Sequence, residues 1–85
     1  MITTGQITVG TTRVQIDGSS VSDFRLHIHN MDATDTLYIG NEAVTTANGF
    51  SLFKQDSVEM QCYAGEQVFA ISSKGSHPIS FLKQV

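Results

Sequence analysis

Two histidines spaced two residues apart, His27 and His29, form the one metal-like pattern in this chain. Residues i and i+2 of a strand project from the same face, so both imidazoles could reach a single ion. A third ligand is still required, and only Asp23 or His77 could supply it, through a topology that spacing does not specify. The plainer alternative is two polar residues on the outer face of an alternating strand, near Glu59 across the sheet. That alternative is the expected one, and no metal is assigned. Asp32, Thr34 and Asp35 share a polar loop that invites calcium. The loop has neither the length nor the glycine of an EF-hand, so Asx-type turns are expected instead. Cys62 stands on the apolar side of its segment with Val58 and Met60, which predicts a buried, inert thiol. The many Ser and Thr residues include no Gly-x-Ser-x-Gly elbow, and glycine-rich phosphate loops are absent. No catalytic or cofactor-binding residue is therefore assigned, and the chain is read as a non-enzyme.

The elements that carry these residues are short strands. Phe24 to His29 alternates strictly, with Phe24, Leu26 and Ile28 on one face and Arg25, His27 and His29 on the other. Ser57 to Tyr63 alternates in the same way. Gln6–Val9 and Thr12–Ile16 are rich in β-branched residues around Gly10. Leu37 to Phe53 reads as strand, Gly40 break, strand, Asn48-Gly49 turn, strand, with no room for a helix. Asn-Gly favours a two-residue hairpin with both central residues at φ > 0. Gln67 to Ser72 is apolar on both faces, as in a strand buried centrally or against a partner. Pro78 opens a last strand through Leu82. Asp17–Ser20, Asn30–Thr36, Lys54–Asp56, Ala64–Glu66 and Ser73–Ser76 separate the strands as turns and loops. The prediction is an all-β fold: a small antiparallel β-sandwich, jelly-roll or barrel-like, of seven to eight short strands. The aromatic residues are expected to form its core, with Tyr63 the best candidate for exposure.

Eighty-five residues make a single domain, 1–85, with residues 1–5 a flexible or docking N-terminal arm. A lone cysteine excludes an intrachain disulfide, which leaves oligomerisation as the route to added stability. Only 15% of residues are charged, against about 25% in typical domains. The surface must therefore be built from Thr, Ser, Gln, Asn and Gly, which suits wide uncharged contacts. Five scattered basic residues and a net charge of −3 argue against nucleic-acid binding. Neither a signal peptide nor an apolar run long enough for a membrane is seen, so a soluble product made in a cytoplasm is expected.

The ordered block Leu37-Tyr38-Ile39-Gly40, Val44-Thr45-Thr46, Asn48-Gly49-Phe50, Leu52 and Val68-Phe69-Ala70-Ile71-Ser72-Ser73 resembles small structural proteins of tailed bacteriophages. The likeness is to capsid decoration (cement) or head-fibre proteins and covers roughly Phe24 to Leu82. This chain departs at Lys54-Gln55-Asp56, where those proteins often carry a Pro-Gly-Glu turn, and at the His27/His29 pair. The resemblance implies a virion component on the capsid exterior, made in the host cytoplasm, whose partner is the major capsid protein and whose form is a homotrimer. Gly40, Asn48 and Gly49 would set the fold, and Ile2, Ile7 and Val9 would form an N-terminal contact with a neighbour. A tail or fibre module binding host glycans through Tyr63 and the Asn30–Thr36 loop is the alternative. A metal-dependent enzyme built on His27 and His29 is the weakest reading.

Overall fold

Strand pairing follows a single rule in the computed structural model, which describes residues 1–17 and 20–85. Among these residues eight strands occur: β1 (Ile2–Val9), β2 (Val14–Gln15), β3 (Phe24–Asn30), β4 (Leu37–Gly40), β5 (Phe50–Leu52), β6 (Ser57–Cys62), β7 (Phe69–Ser72) and β8 (His77–Gln84). The first pairs with the last, the second with the seventh, the third with the sixth and the fourth with the fifth, all antiparallel. Further β3–β8 and β4–β7 pairing closes two four-stranded sheets, ordered β1-β8-β3-β6 and β2-β7-β4-β5. A long antiparallel ribbon folded over on itself in this way is a jelly roll, the double-sheet form of β-sandwich. No helix occurs among the described residues.

The alternation read in the sequence is realised. Phe24, Leu26 and Ile28 face inward and are buried, while Arg25 and His27 are exposed. Their inward neighbours on β6 are Cys62, Met60 and Val58. Between the sheets lies an aliphatic core that includes Val9, Leu37, Leu52, Ala70 and Ile79. β7 is covered on both faces, with Ala70, Ile71 and Ser72 all buried, as its two-sided apolar sequence requires. Pro78 is the second residue of β8, opposite Thr8 near the strand end.

Four local expectations need correction. Residues 2–5 are not a loose arm: β8 runs to Gln84 and offers them a full-length partner, so β1 pairs without interruption from Ile2 to Val9. The segment between Gly40 and Phe50 holds no strand. Val44 N–H donates to Asn41 C=O, and Asn48 and Gly49 N–H both donate to Thr45 C=O, so the loop is two successive turns. Asn48-Gly49 is accordingly no two-residue hairpin turn, and neither residue has positive φ. Asn48 instead uses its side chain, accepting the Thr45 N–H at 2.7 Å. Glycine is needed at 49 for space, because a Cβ there would lie 2.7 Å from Tyr38 Cβ. Gly40 is similarly crowded, by Val44 Cγ2 at 2.7 Å from a Cβ position. Finally, the aromatic rings do not build the core. Phe24 is the buried one, while Phe50 and Phe53 are 62–64% exposed; Tyr63, expected to be exposed, is so at 67%. Of the predicted Asp17–Ser20 turn, Gly18 and Ser19 lie outside the described residues.

Candidate functional site

At one end of the sandwich, where β3 and β7 finish and β8 begins, polar side chains converge. Asn30 ends β3 on its buried parity and is fully enclosed. Its Nδ2 donates to three carbonyls, those of Asp35, Leu52 and Phe53, at 3.0–3.1 Å. This fixes the amide orientation and leaves Oδ1 to accept, from Asp32 N–H at 3.0 Å and from the imidazole Nε2 of His77 at 2.6 Å. Nε2 therefore carries the proton. Nδ1 of the same ring, 2.8 Å from Ser72 Oγ, must accept the Ser72 hydroxyl proton. Ser72 Oγ in turn accepts the Lys74 N–H. Burial pushes His77 below its ordinary value of 6.5. The carboxylates of Asp32 and Asp35 oppose that shift, and Lys74 adds to it.

Beside this hub, Asp32 closes its own loop. Oδ2 accepts from Thr34 N–H, Thr34 Oγ1 and Asp35 N–H, while Oδ1 meets Lys74 Nζ at 2.7 Å. The ammonium of Lys74 and these N–H groups hold the Asp32 carboxyl well below the usual carboxylate range, against a smaller opposing effect of burial. Lys74 is raised in return, chiefly by its bond to Asp32. The Asp32–Asp35 loop is thus an Asx-type turn locked by a lysine, and its oxygens are already in use. Ser72, His77 and Asn30 have the residue types of a nucleophile, a base and an orienter. Yet Ser72 is 1% and His77 0% exposed, so no substrate reaches the hydroxyl. The hub seals the end of the sandwich, and no buried side-chain N or O among the described residues lacks a partner.

The opposite end is closed by Lys83, which points inward from β8. Its Nζ lies 3.3 Å from Asp17 Oδ2 and 5.1 Å from the centre of the Phe24 ring. Asp17 adopts positive φ, which a short polar side chain tolerates.

On the outer face of β1-β8-β3-β6, Thr4, Leu82, His27 and Glu59 form one cross-strand row, and Gln6, Ser80, His29 and Ser57 the next. A shallow depression of about 550 Å³ runs over this face past His27 and His29. Neither predicted third ligand joins them. His77 is buried in the hub, and Asp23 Oδ1 accepts the Ala64 N–H. Glu59 is paired with Arg25 at 3.2 Å. No group of three His, Cys, Asp or Glu side chains among the described residues could hold a metal ion. Cys62 is buried, as its alternation predicts, and burial pushes its thiol pKa up.

A second depression, about 420 Å³, is apolar. It opens because β5 has three residues and β6 six, leaving Val58 and Met60 only partly covered beside Phe50, Ile39 and Val68. Of the three residues read as an N-terminal contact, Ile2 is exposed, Ile7 packs against the core, and Val9 lies wholly within it. Inward parity on β1 explains the last two. The Asn30–Thr36 loop read as sugar-binding turns its two most capable groups, Asn30 and Asp32, into the hub.

No protein-family model matches the chain, and no curated protein sequence does. A solved structure of similar fold comes from work described as "Bacillus endospore appendages form a novel family of disulfide-linked pili". It superposes with a TM-score of 0.65 over 100% of this chain and 85% of that one, at 13% sequence identity. A likeness at that identity is one of fold alone.

Proposed function

We propose that the protein is a structural component of a phage virion, a capsid decoration protein that adheres to the outer capsid lattice and stabilises it. The exposure of large apolar side chains on a weakly charged domain carries this reading. Phe50, Phe53, Tyr63, Met31 and Leu82 are all at least 37% exposed, on a chain with only 15% charged residues. In this reading these side chains are the contacts with neighbouring proteins. The groups best suited to chemistry are meanwhile locked in the hub. The phage resemblance of the Leu37–Ser73 block supplies the lattice. The fold neighbour, itself described as a pilus protein, is compatible with a building role, though the covalent linkage named for it cannot be made through a buried Cys62.

Many small contacts repeated over a lattice add through multivalency, which suits a clamp loaded by internal pressure. Imaging of intact particles with a label on this chain tests the assignment directly: signal on the head exterior is expected. Particles lacking the protein are expected to burst at lower temperature, and equal thermal stability would defeat the clamping role.

A further inference from the structure

We propose that two copies of the chain associate through β1, pairing edge to edge about a twofold axis to make one continuous eight-stranded sheet. The four outer strands of the two sheets are β1, β6, β2 and β5. An outer strand leaves every other set of backbone N–H and C=O groups pointing away from its neighbour, a template for another strand. Natural proteins defend such edges by shortness, charge, proline or a bulge. Three of the four are defended here. β2 has two residues and lies between Arg13 and Asp17, and β5 has three and is followed within two residues by Lys54. β6 carries Glu59 at its middle and follows Asp56 directly.

β1 has none of these devices. It is eight residues long and pairs one-to-one with β8 throughout, without a bulge. No Asp, Glu, Lys, Arg or Pro side chain occurs from Met1 to Thr12. Thr3, Thr4, Gln6 and Thr8 are exposed along it, rich in the β-branched residues that pair well across strands.

The occupant that this edge fits is its own copy. A second β1 brings no charged side chain to oppose the first. A twofold pair also satisfies the undefended edge of both molecules at once and closes, whereas addition to another edge leaves one β1 open for further growth. Side-chain alternation restricts the register. The outer faces of the two copies remain on one side only when residues of like parity oppose each other, which places Gly5 or Gln6 on the axis. With Gly5 there, Thr4 faces the second copy's Gln6; with Gln6 there, Gln6 faces its own counterpart and Thr4 faces Thr8. The result is a twofold unit in place of the threefold one that the phage resemblance implies.

Sedimentation of the full chain over a wide concentration range tests this. A monomer–dimer equilibrium is expected. The double variant Thr4→Lys with Gln6→Lys opposes ammonium groups in either register and is expected to be monomeric with unchanged circular dichroism. Ser57→Lys with Gln61→Lys, the same charge added to β6, is expected to leave the dimer intact. A monomer at every concentration, a trimer, or a dimer that survives the β1 lysines overturns the pairing. Hydrogen exchange of the unaltered chain gives a second readout that needs no variant: β1 amide protection should rise with concentration, and its failure to do so also overturns the proposal. The capsid reading stands apart. A monomer located on particles refutes the pairing alone, and a solution dimer absent from particles refutes the capsid role alone.

Discussion

Replacing Asn30 with alanine should be the most damaging truncation of a polar side chain in this protein. The amide makes five hydrogen bonds, three as donor and two as acceptor. Those to Leu52 C=O, Asp32 N–H and His77 Nε2 are fully buried, while those to Asp35 and Phe53 lie where water can replace them. A buried polar group left without a partner costs about 1–3 kcal/mol. Three such losses, reduced by water entering the space, give an expected destabilisation of about 3–5 kcal/mol. Domains of this length are stable by only about 4–13 kcal/mol in total, so the variant should be marginal, with a melting temperature lower by about 15–30 °C. Urea titration followed by circular dichroism measures it. Asn41→Ala is the matched control, because it removes one exposed bond, to Ala43 N–H, and should cost less than about 1 kcal/mol. Asn30→Asp conserves volume but turns an oxygen toward three carbonyls, so it should destabilise at least as much as alanine does. If Asn30→Ala falls within about 1 kcal/mol of the Asn41 control, the hub does not hold the end of the sandwich together and the reasoning fails.

Two further outcomes follow from the same geometry. His77 is held neutral by burial below its ordinary 6.5, so below that pH the unfolded chain binds a proton that the folded one resists, and stability should fall as pH drops from 6.5. Asp32 adds a separate loss at lower pH, since below the ordinary 3.8 the unfolded chain takes up a proton that the folded carboxylate, held low chiefly by Lys74, resists. Denaturation midpoints measured across pH should therefore show two regions of decline, and His77→Gln should remove the upper one. For the glycines, Gly49→Ala drives a Cβ to 2.7 Å from Tyr38 Cβ and should cost about 1–3 kcal/mol. Gly65→Ala meets nothing within 4 Å but occupies φ +85°, so it should cost only about 1 kcal/mol. Thermal melts that reverse this order would refute the account of why Gly49 is glycine.

The strands were legible because a period of two residues is written locally. Phe24-x-Leu26-x-Ile28 and Val58-x-Met60-x-Cys62 each state a buried face without reference to any other part of the chain. The burial of Cys62 followed from that parity alone, and the Asx-type turn at Asp32 from its loop composition. Legibility failed where a residue type has two uses. Asn48-Gly49 carries the hairpin signal, yet Asn48 serves as a side-chain acceptor and Gly49 as a gap beside Tyr38. Aromatic rings in a small domain suggest a core, but the aliphatic residues of the two sheets fill that space and leave Phe50 and Phe53 outside along with Tyr63, whose exposure was expected. Asn30 and His77 gave one signal that could have been followed: each continues the buried parity of its strand, which marks a polar residue required to find partners within.

Alternation, turn residues and low charge thus determined by themselves an antiparallel sandwich of short strands, with Cys62 on an inward apolar face; that aliphatic side chains fill the interior was decided by the packing of the two sheets. Which strands would meet was decided only by the fold, since pairing the first with the last depends on the closure of the whole ribbon. The hub belongs to that second kind of information. Asn30 and His77 are 47 residues apart, and no local pattern encodes a contact whose two halves are brought together only when β8 settles beside β3.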